Sequence, residues 1–136
     1  MLTAEEALER LKKGNQRFVH GETNHQKLLT HQQRAQMAES QSPFAIILGC
    51  SDSRVPAEMV FDQGLGDLFV IRVAGNIVAP SQVGSVEFAA DSFGCPLVVV
   101  LGHSHCGAIH STIEALQNPD QTSSANVMSI VNRVRP

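Results

Sequence analysis

The chain contains no Trp and no Tyr, so its six Phe residues supply all of its aromatic side chains. Neither sign of charge is in large excess, because the chain has ten Lys and Arg residues and thirteen Asp and Glu residues, for a formal net charge of -3. This balance gives no electrostatic reason to expect a nucleic-acid or anionic-membrane partner. No apolar stretch approaches the roughly 20 residues that a membrane-spanning helix requires. The longest apolar run, at residues 96–102, has the length of a strand.

The first residues lack the features of a secretion signal. Residues 1–6 are acidic and have neither the basic start nor the apolar core of a signal peptide, so we expect a cytoplasmic location. Three cysteines cannot all pair within one chain, and in a reducing compartment thiols stay free for metal binding or catalysis. Cys95 precedes a proline at the start of an apolar run and is expected to be a small core residue. Cys50 and Cys106 instead lie among polar residues and glycine.

The length of 136 residues fits one domain, and 43% hydrophobic residues are enough for one substantial core. The first forty residues are predicted to be helical. Thr3 and Glu6 match a capping box, and Leu8 and Leu11 fit one face of a helix. Residues 25–40, rich in Gln and Ala, predict a second and more polar helix.

Beyond residue 43, apolar runs alternate with helical patterns. Strands are predicted at residues 44–48, 68–73 and 97–101. Helices are predicted after Pro56, between a cap at Ser81 and a stop at Gly94, from Gly107 to Asn118 and from Ser124. The alternation predicts an α/β fold with a mostly parallel β-sheet flanked by α-helices. Ligands of such folds collect outside the carboxyl ends of the strands. Cys50 follows the first strand and both His103 and Cys106 follow the third, so all three are expected at one edge of the sheet.

Cys50, His103 and Cys106 form a Cys2His set, and zinc favours thiolate and imidazole ligands of this kind. Three protein ligands leave a fourth position for water, which is the arrangement of a catalytic zinc site. In the alternative interpretation the histidine hydrogen-bonds within a turn and both cysteines pack in the core. The shared sheet edge favours Zn²⁺ over this alternative.

Asp52 and Arg54 alternate with Cys50 in the segment C-S-D-S-R, so an extended chain would place all three on one side. Asp52 could then accept a hydrogen bond from metal-bound water, or bind the zinc itself as a fourth ligand. Arg54 could clamp the carboxylate through two hydrogen bonds and keep it ionised. The alternative is a helix cap, with Asp52 or Ser53 capping the segment after Pro56 and Arg54 in solvent. Spacing alone leaves these alternatives open.

Taken together, C-x-D-x-R at residues 50–54 and H-x-x-C at residues 103–106 resemble the paired motifs of the β-class carbonic anhydrases. Further similar segments are Q-S-P at residues 41–43, G-D-L-F-V at 66–70, R-V-A-G-N at 72–76 and S-V-E-F-A at 85–89. The resemblance implies zinc-dependent, reversible hydration of carbon dioxide to bicarbonate and a proton. The residues that it implies are the zinc ligands Cys50, His103 and Cys106, the catalytic pair Asp52 and Arg54, and the substrate-binding Gln41.

The resemblance also implies how the chain assembles. N-terminal helices are expected to pack on a partner subunit in a homodimer or larger oligomer, with the cleft at the subunit boundary. Family members continue well beyond residue 136. We therefore expect residues 1–136 to form a single β-carbonic-anhydrase-like domain that lacks the family's C-terminal strand and helices.

Two other functions are compatible with the same residues. In a non-catalytic zinc protein or truncated inactive homologue, Asp52 would complete the metal coordination. A related hydrolase would act on carbon disulfide or carbonyl sulfide with the same ligands and a different tunnel. His105 flanks the site and is a candidate proton shuttle, although a solvent-facing turn residue is the interpretation that we favour.

Overall fold

Three parallel strands form a sheet in this computed structural model, which describes residues 1–24 and 30–136. They are β1 (Ala45–Gly49), β2 (Leu68–Arg72) and β3 (Val98–Val100), in the order β2-β1-β3. Every residue of the central strand β1 is buried, as a strand covered on both faces should be. Gly49 pairs with Arg72, and Leu48 pairs with Val100, so the carboxyl ends of the strands meet at one edge. The predicted α/β fold with a parallel sheet is confirmed.

Six helices of the described residues accompany the sheet. They are α1 (Ala4–Val19), α2 (His31–Met37), α3 (Ala57–Val60), α4 (Pro80–Phe93), α5 (Gly107–Gln117) and α6 (Ala125–Val134), and a short 3₁₀ turn spans Ala74–Asn76. The capping box at Thr3 and Glu6 is confirmed. Of the helix predicted at residues 25–40, residues 25–29 lie outside the described part, and α2 begins after its own cap at Thr30. Among the described helices, none has the length and apolarity needed to cross a bilayer.

Alternate residues of β1 face two different hydrophobic clusters. Ala45 and Ile47 pack with α1 and α3 in the first cluster, and Ile46 packs with Ala89 of α4 in the second. The crossover from β1 to β2 through α3 therefore covers one face, and the crossover from β2 to β3 through α4 covers the other. Helices on both faces keep the site-bearing ends of the strands in fixed positions.

Helix α1 packs on the core of its own chain. Ala7 and Leu11 are buried in the cluster beneath it. Arg17 forms an ion pair with the buried carboxylate of Asp62, and the Arg10 guanidinium lies 3.0 Å from a carboxylate oxygen of Asp67. The apolar side of α1 is thus used within the chain, and packing of N-terminal helices on a partner subunit stays a prediction.

Candidate metal centre

The three residues predicted to bind zinc come together at the carboxyl edge of the sheet. Cys50 follows β1 directly, His103 lies in the turn after β3, and Cys106 is the last residue before α5. Their candidate ligand atoms all lie within 4.8 Å of one another. The two Sγ atoms are 4.0 Å apart, and both cysteines are buried and outside any disulfide. Two sulfurs and one imidazole nitrogen are therefore positioned to share one ion.

His103 presents an unsatisfied nitrogen to this cluster. Its Nδ1 lies 2.9 Å from the carbonyl oxygen of Ser104, and because a carbonyl only accepts, Nδ1 is the donor. The neutral ring then has a bare Nε2. This Nε2 is buried and makes no hydrogen bond of normal geometry with the described residues. Buried polar atoms without a partner are rare, and a metal ion is the ligand that a bare imidazole nitrogen next to two thiols fits.

The surroundings of Cys50 favour its metal-binding form. Burial disfavours the thiolate, but the His103 ring when it carries a proton on Nε2, together with the backbone N–H groups of Asp52 and Gly75, outweighs this effect and lowers the pKa of Cys50 to about 7. Gly75 donates its N–H to the sulfur over 3.3 Å. The thiolate is the species that binds metal, so the donor set fits Zn²⁺ held by three protein ligands.

Asp52 and Arg54 form a two-pronged ion pair beside the cluster. Arg54 donates from Nε to Oδ1 over 2.9 Å and from Nη2 to Oδ2 over 2.6 Å, and its backbone N–H adds a bond to Oδ1 over 2.9 Å. Hydrogen bonding to Arg54 holds the pKa of Asp52 well below its usual range. The helix-cap alternative is wrong, because the residue that precedes α3 is Pro56 and no side chain caps that helix.

The fourth-ligand interpretation of Asp52 has a geometric obstacle. Its Oδ2 lies 3.9 Å from Nε2 of His103, which is close enough for contact with a small molecule at the cluster. Both carboxylate oxygens are nevertheless engaged by Arg54, and Asp52 does not belong to the group of candidate ligand atoms. This arrangement favours Asp52 as a hydrogen-bond acceptor beside the candidate ligands over Asp52 as a fourth ligand.

Gln41 shares neither of the two cavities that it lines with the other predicted site residues. Gln41 lines two adjoining surface cavities of about 430 Å³ each, together with Met37 and Gly66. The lining of these cavities includes neither the candidate zinc ligands nor the Asp52–Arg54 pair. These two cavities therefore do not connect Gln41 to the predicted metal site.

His105 lies on the rim of the site with its backbone in the left-handed region, at φ 55°. Its side chain is exposed. Its carbonyl oxygen accepts a hydrogen bond of 3.0 Å from Nη2 of Arg54. The backbone of His105 thus helps to hold the ion pair, whichever role its ring has.

Two further residues contact the site although their types gave no direct signal. Arg72 donates hydrogen bonds to the backbone carbonyls of Cys50 and Asp52, and Gly75 donates to the Cys50 sulfur. Both belong to the segment R-V-A-G-N that follows β2 to the same sheet edge. That position at the end of the second strand was the signal that could have identified them.

The fold and the site together define an α/β protein with a candidate Cys-His-Cys metal centre at the end of a parallel sheet. Residues 45–136 match the family model described as carbonic anhydrase, and the chain belongs to this family. The resemblance to its β class is confirmed by the solved structures to which the chain is similar. One is the β-carbonic anhydrase CcaA, with a TM-score of 0.67 and 26% identity over 94% of this chain and 61% of that one.

Another solved structure is the Coccomyxa β-carbonic anhydrase in complex with acetazolamide, with a TM-score of 0.63, 29% identity, and coverage of 72% of this chain and 44% of that one. Carbonic anhydrase 2 of Mycobacterium tuberculosis is 46% identical over 127 residues. The carbonic anhydrase of Mycolicibacterium smegmatis is 46% identical over 126 residues. Each alignment covers 93% of this chain, and the chain spans 60% of the length of these relatives.

Proposed function

We propose that this chain catalyses the reversible hydration of carbon dioxide to bicarbonate and a proton, with Zn²⁺ as its cofactor. The observation that carries the proposal is the convergence of Cys50, His103 and Cys106 next to an ionised, clamped Asp52. The names of the mycobacterial relatives, carbonic anhydrase in both cases, support it.

The metal would be held by the two thiolates and by Nε2 of His103. Bound there, zinc supplies a Lewis acid that lowers the pKa of a water molecule enough to provide a nucleophile near neutral pH. The hydrogen bond from Nδ1 of His103 to the carbonyl of Ser104 fixes the ring orientation and keeps Nε2 directed at the cluster. The N–H of Gly75 orients the Cys50 sulfur in the same way.

The part of Asp52 is to accept a hydrogen bond from the attacking water. Its low pKa keeps it ionised across the neutral range, so it is always an acceptor. Each carboxylate oxygen can accept more than one hydrogen bond, which leaves capacity for a water molecule after Arg54 has been satisfied. Because Arg54 binds both oxygens, the carboxylate cannot rotate freely, and the direction of the accepted bond is fixed before substrate arrives.

Assembly into a homodimer or larger oligomer is part of the proposal. The edge strand β3 exposes Val98 and Val100, and α5 exposes Ile113 and Leu116. Exposed apolar side chains beside an unpaired strand edge favour association. In a cleft between subunits, Gln41 would donate a hydrogen bond to a substrate oxygen. Light scattering at micromolar concentration is expected to show at least a dimer, and a purely monomeric protein would contradict this part.

The remaining proposals concern organisation and location. We propose that residues 1–136 act as a single β-carbonic-anhydrase-like domain, because α1 and both sheet faces share one pair of adjoining clusters. The cytoplasmic location is supported by three free cysteines, since thiols persist in reducing compartments. Fractionation of cells that express the chain tests the location.

The direct test combines metal analysis with stopped-flow measurement of carbon dioxide hydration. Cys106→Ala is expected to abolish stoichiometric zinc and hydration. Cys95→Ala is its matched control, because Cys95 is also buried and unpaired but lies outside the cluster, where it donates to the carbonyl of Pro43. Wild-type protein and the control should each hold about one zinc per chain.

Three results would count against the proposal. Tight zinc binding by Cys106→Ala would remove the assigned metal site. Zinc-loaded wild-type protein without hydration at any pH would indicate a non-catalytic zinc protein. Turnover of carbon disulfide in place of carbon dioxide would indicate the related hydrolase.

A further inference from the structure

The loop that carries Cys50 and Asp52 is held by a side chain of the neighbouring strand. Arg72 is the last residue of β2 and pairs in register with Gly49, the last residue of β1. Its Nε donates to the carbonyl oxygen of Cys50 over 2.8 Å, and its Nη2 donates to the carbonyl oxygen of Asp52 over 2.6 Å. One guanidinium group thus spans the backbone of a candidate metal ligand and of the candidate acceptor.

Backbone pairing between β1 and β2 holds only the first part of this loop. Beyond β1 the backbone pairing continues through Val73, whose N–H bonds to Gly49 over 3.2 Å and whose carbonyl accepts from Ser51 over 3.3 Å. Asp52 lies after this pairing ends. Within residues 1–24 and 30–136, the hydrogen bond that ties the Asp52 backbone to β2 is the one from Arg72.

The contacts of Arg72 point to a backbone-directed role. In the described part of the chain no carboxylate lies within ion-pair distance of its guanidinium, so it is not half of a surface salt bridge. Charge-assisted hydrogen bonds of 2.6–2.8 Å to carbonyl oxygens are of the stronger kind. They hold the backbone from which the side chains of Cys50 and Asp52 extend.

We propose that Arg72 is a positioning residue, which orients the Cys50 sulfur toward the other metal ligands and the Asp52 carboxylate toward the same point. This inference rests on the proposed zinc site. Residues that orient metal ligands without touching the metal typically change metal affinity by 10–100-fold when they are replaced. Arg72 differs from Arg54 in acting on both halves of the site, because Arg54 binds Asp52 but not the Cys50 backbone.

The test compares Arg72→Gln with Arg72→Lys and with the control Arg133→Gln. Arg133 is an exposed arginine whose side chain donates to the backbone carbonyl and the hydroxyl of Ser129 within its own helix, α6. Zinc affinity is measured by competition with a chromogenic chelator, and the ligand geometry by the visible absorption of the cobalt(II)-loaded protein. Circular dichroism of each metal-free variant reports whether the fold is intact.

Arg72→Gln is expected to bind zinc roughly 10–100-fold more weakly and to alter the cobalt spectrum, with the control unchanged. Arg72→Lys should recover only part of the affinity, because a single ammonium does not reproduce two directed donors. Wild-type affinity and an unaltered cobalt spectrum in Arg72→Gln would overturn the inference while leaving the zinc site standing. A wild-type chain that binds no zinc would overturn both.

The variant Arg72→Lys decides the test if Arg72→Gln does not fold. If Arg72→Gln loses the circular dichroism of the wild type, the decision passes to Arg72→Lys, which keeps the positive charge. Weakened zinc binding by a folded lysine variant supports the positioning role. Wild-type zinc binding by that variant, or its failure to fold, overturns the role in favour of a general contribution to the sheet.

Discussion

Replacing Arg54 with alanine tests whether orientation or ionisation is what Asp52 needs. The substitution removes two side-chain hydrogen bonds to the carboxylate, of 2.9 and 2.6 Å, and one of 3.0 Å to the carbonyl of His105. Without its strongest cause, the low pKa of Asp52 should return toward the ordinary value of 3.8. Asp52 would still be ionised at neutral pH, so its charge survives and only its orientation is lost.

Carbon dioxide hydration by Arg54→Ala is therefore expected to fall by roughly 10–100-fold, the usual effect of removing a group that orients the site. The factor by which hydration falls should be similar from neutral to alkaline pH, because the carboxylate is ionised throughout. Thermal stability should change little, since the Arg54 side chain is 60% exposed and solvent screens its contacts. Stopped-flow hydration, zinc content and thermal melting are measured on the same preparations.

Two variants make the result specific. Arg54→Lys keeps the charge but not the paired donors, so its activity should lie between those of the alanine variant and the wild type. Arg133→Ala removes an exposed arginine from α6 and should leave hydration unchanged. Wild-type activity in Arg54→Ala would refute the reasoning, and a loss confined to acidic pH would show that Arg54 acts by keeping Asp52 ionised.

Three more outcomes are expected. Gly75→Ala should lower the free energy of unfolding by about 1–3 kcal/mol in urea denaturation, because φ is 72° and a new Cβ would lie 3.0 Å from Ala108; wild-type stability would contradict this. Zinc affinity in chelator competition should fall at least about fivefold from pH 7 to pH 6, as protons return to Cys50 below its pKa of about 7; a flat profile would argue against thiolate ligation. Leu11→Ala should lower the free energy of unfolding by about 2–5 kcal/mol, because Leu11 is 1% exposed. Leu8→Ala, at a position that is 39% exposed, should lower it far less; equal decreases would be inconsistent with the packing of α1.

Element types were predictable from the sequence, and element ends were less so. The helix predicted to be capped by Ser81 has its cap two residues earlier, at Ala79, and begins at Pro80, where a residue without an N–H loses no helical hydrogen bond. The strand predicted at residues 97–101 is only Val98–Val100. Its flanks still pair with β1, through the carbonyl of Leu97 and the N–H of Leu101. The apolar run therefore marked the extent of pairing correctly, while the regular strand is shorter.

Some features of the candidate site could be predicted from local sequence patterns, and others could not. The meeting of the cysteines and the histidine was predictable, because parallel strands bring their carboxyl ends to one edge. Whether Asp52 pairs with Arg54 or caps a helix was not predictable, since the same C-S-D-S-R spacing serves either geometry. Arg72 donates to backbone carbonyls 20 and 22 positions earlier in the chain, and Gly75 donates its backbone N–H to a sulfur 25 positions earlier. Residue spacing does not reveal contacts of this kind, because they involve main-chain groups.

Strand register decides whether the metal ligands and the ion pair act at one point. Leu48 pairs with Val100, so Cys50 lies two residues beyond this pair and His103 three residues beyond it. A slip of one residue would reverse which face each side chain of the strand occupies, and the sulfur and the imidazole would no longer converge. The Asp52–Arg54 pair forms within three residues and would survive the slip. The local pair therefore has chemical meaning only in the native register, where the sheet places it 3.9 Å from the histidine nitrogen.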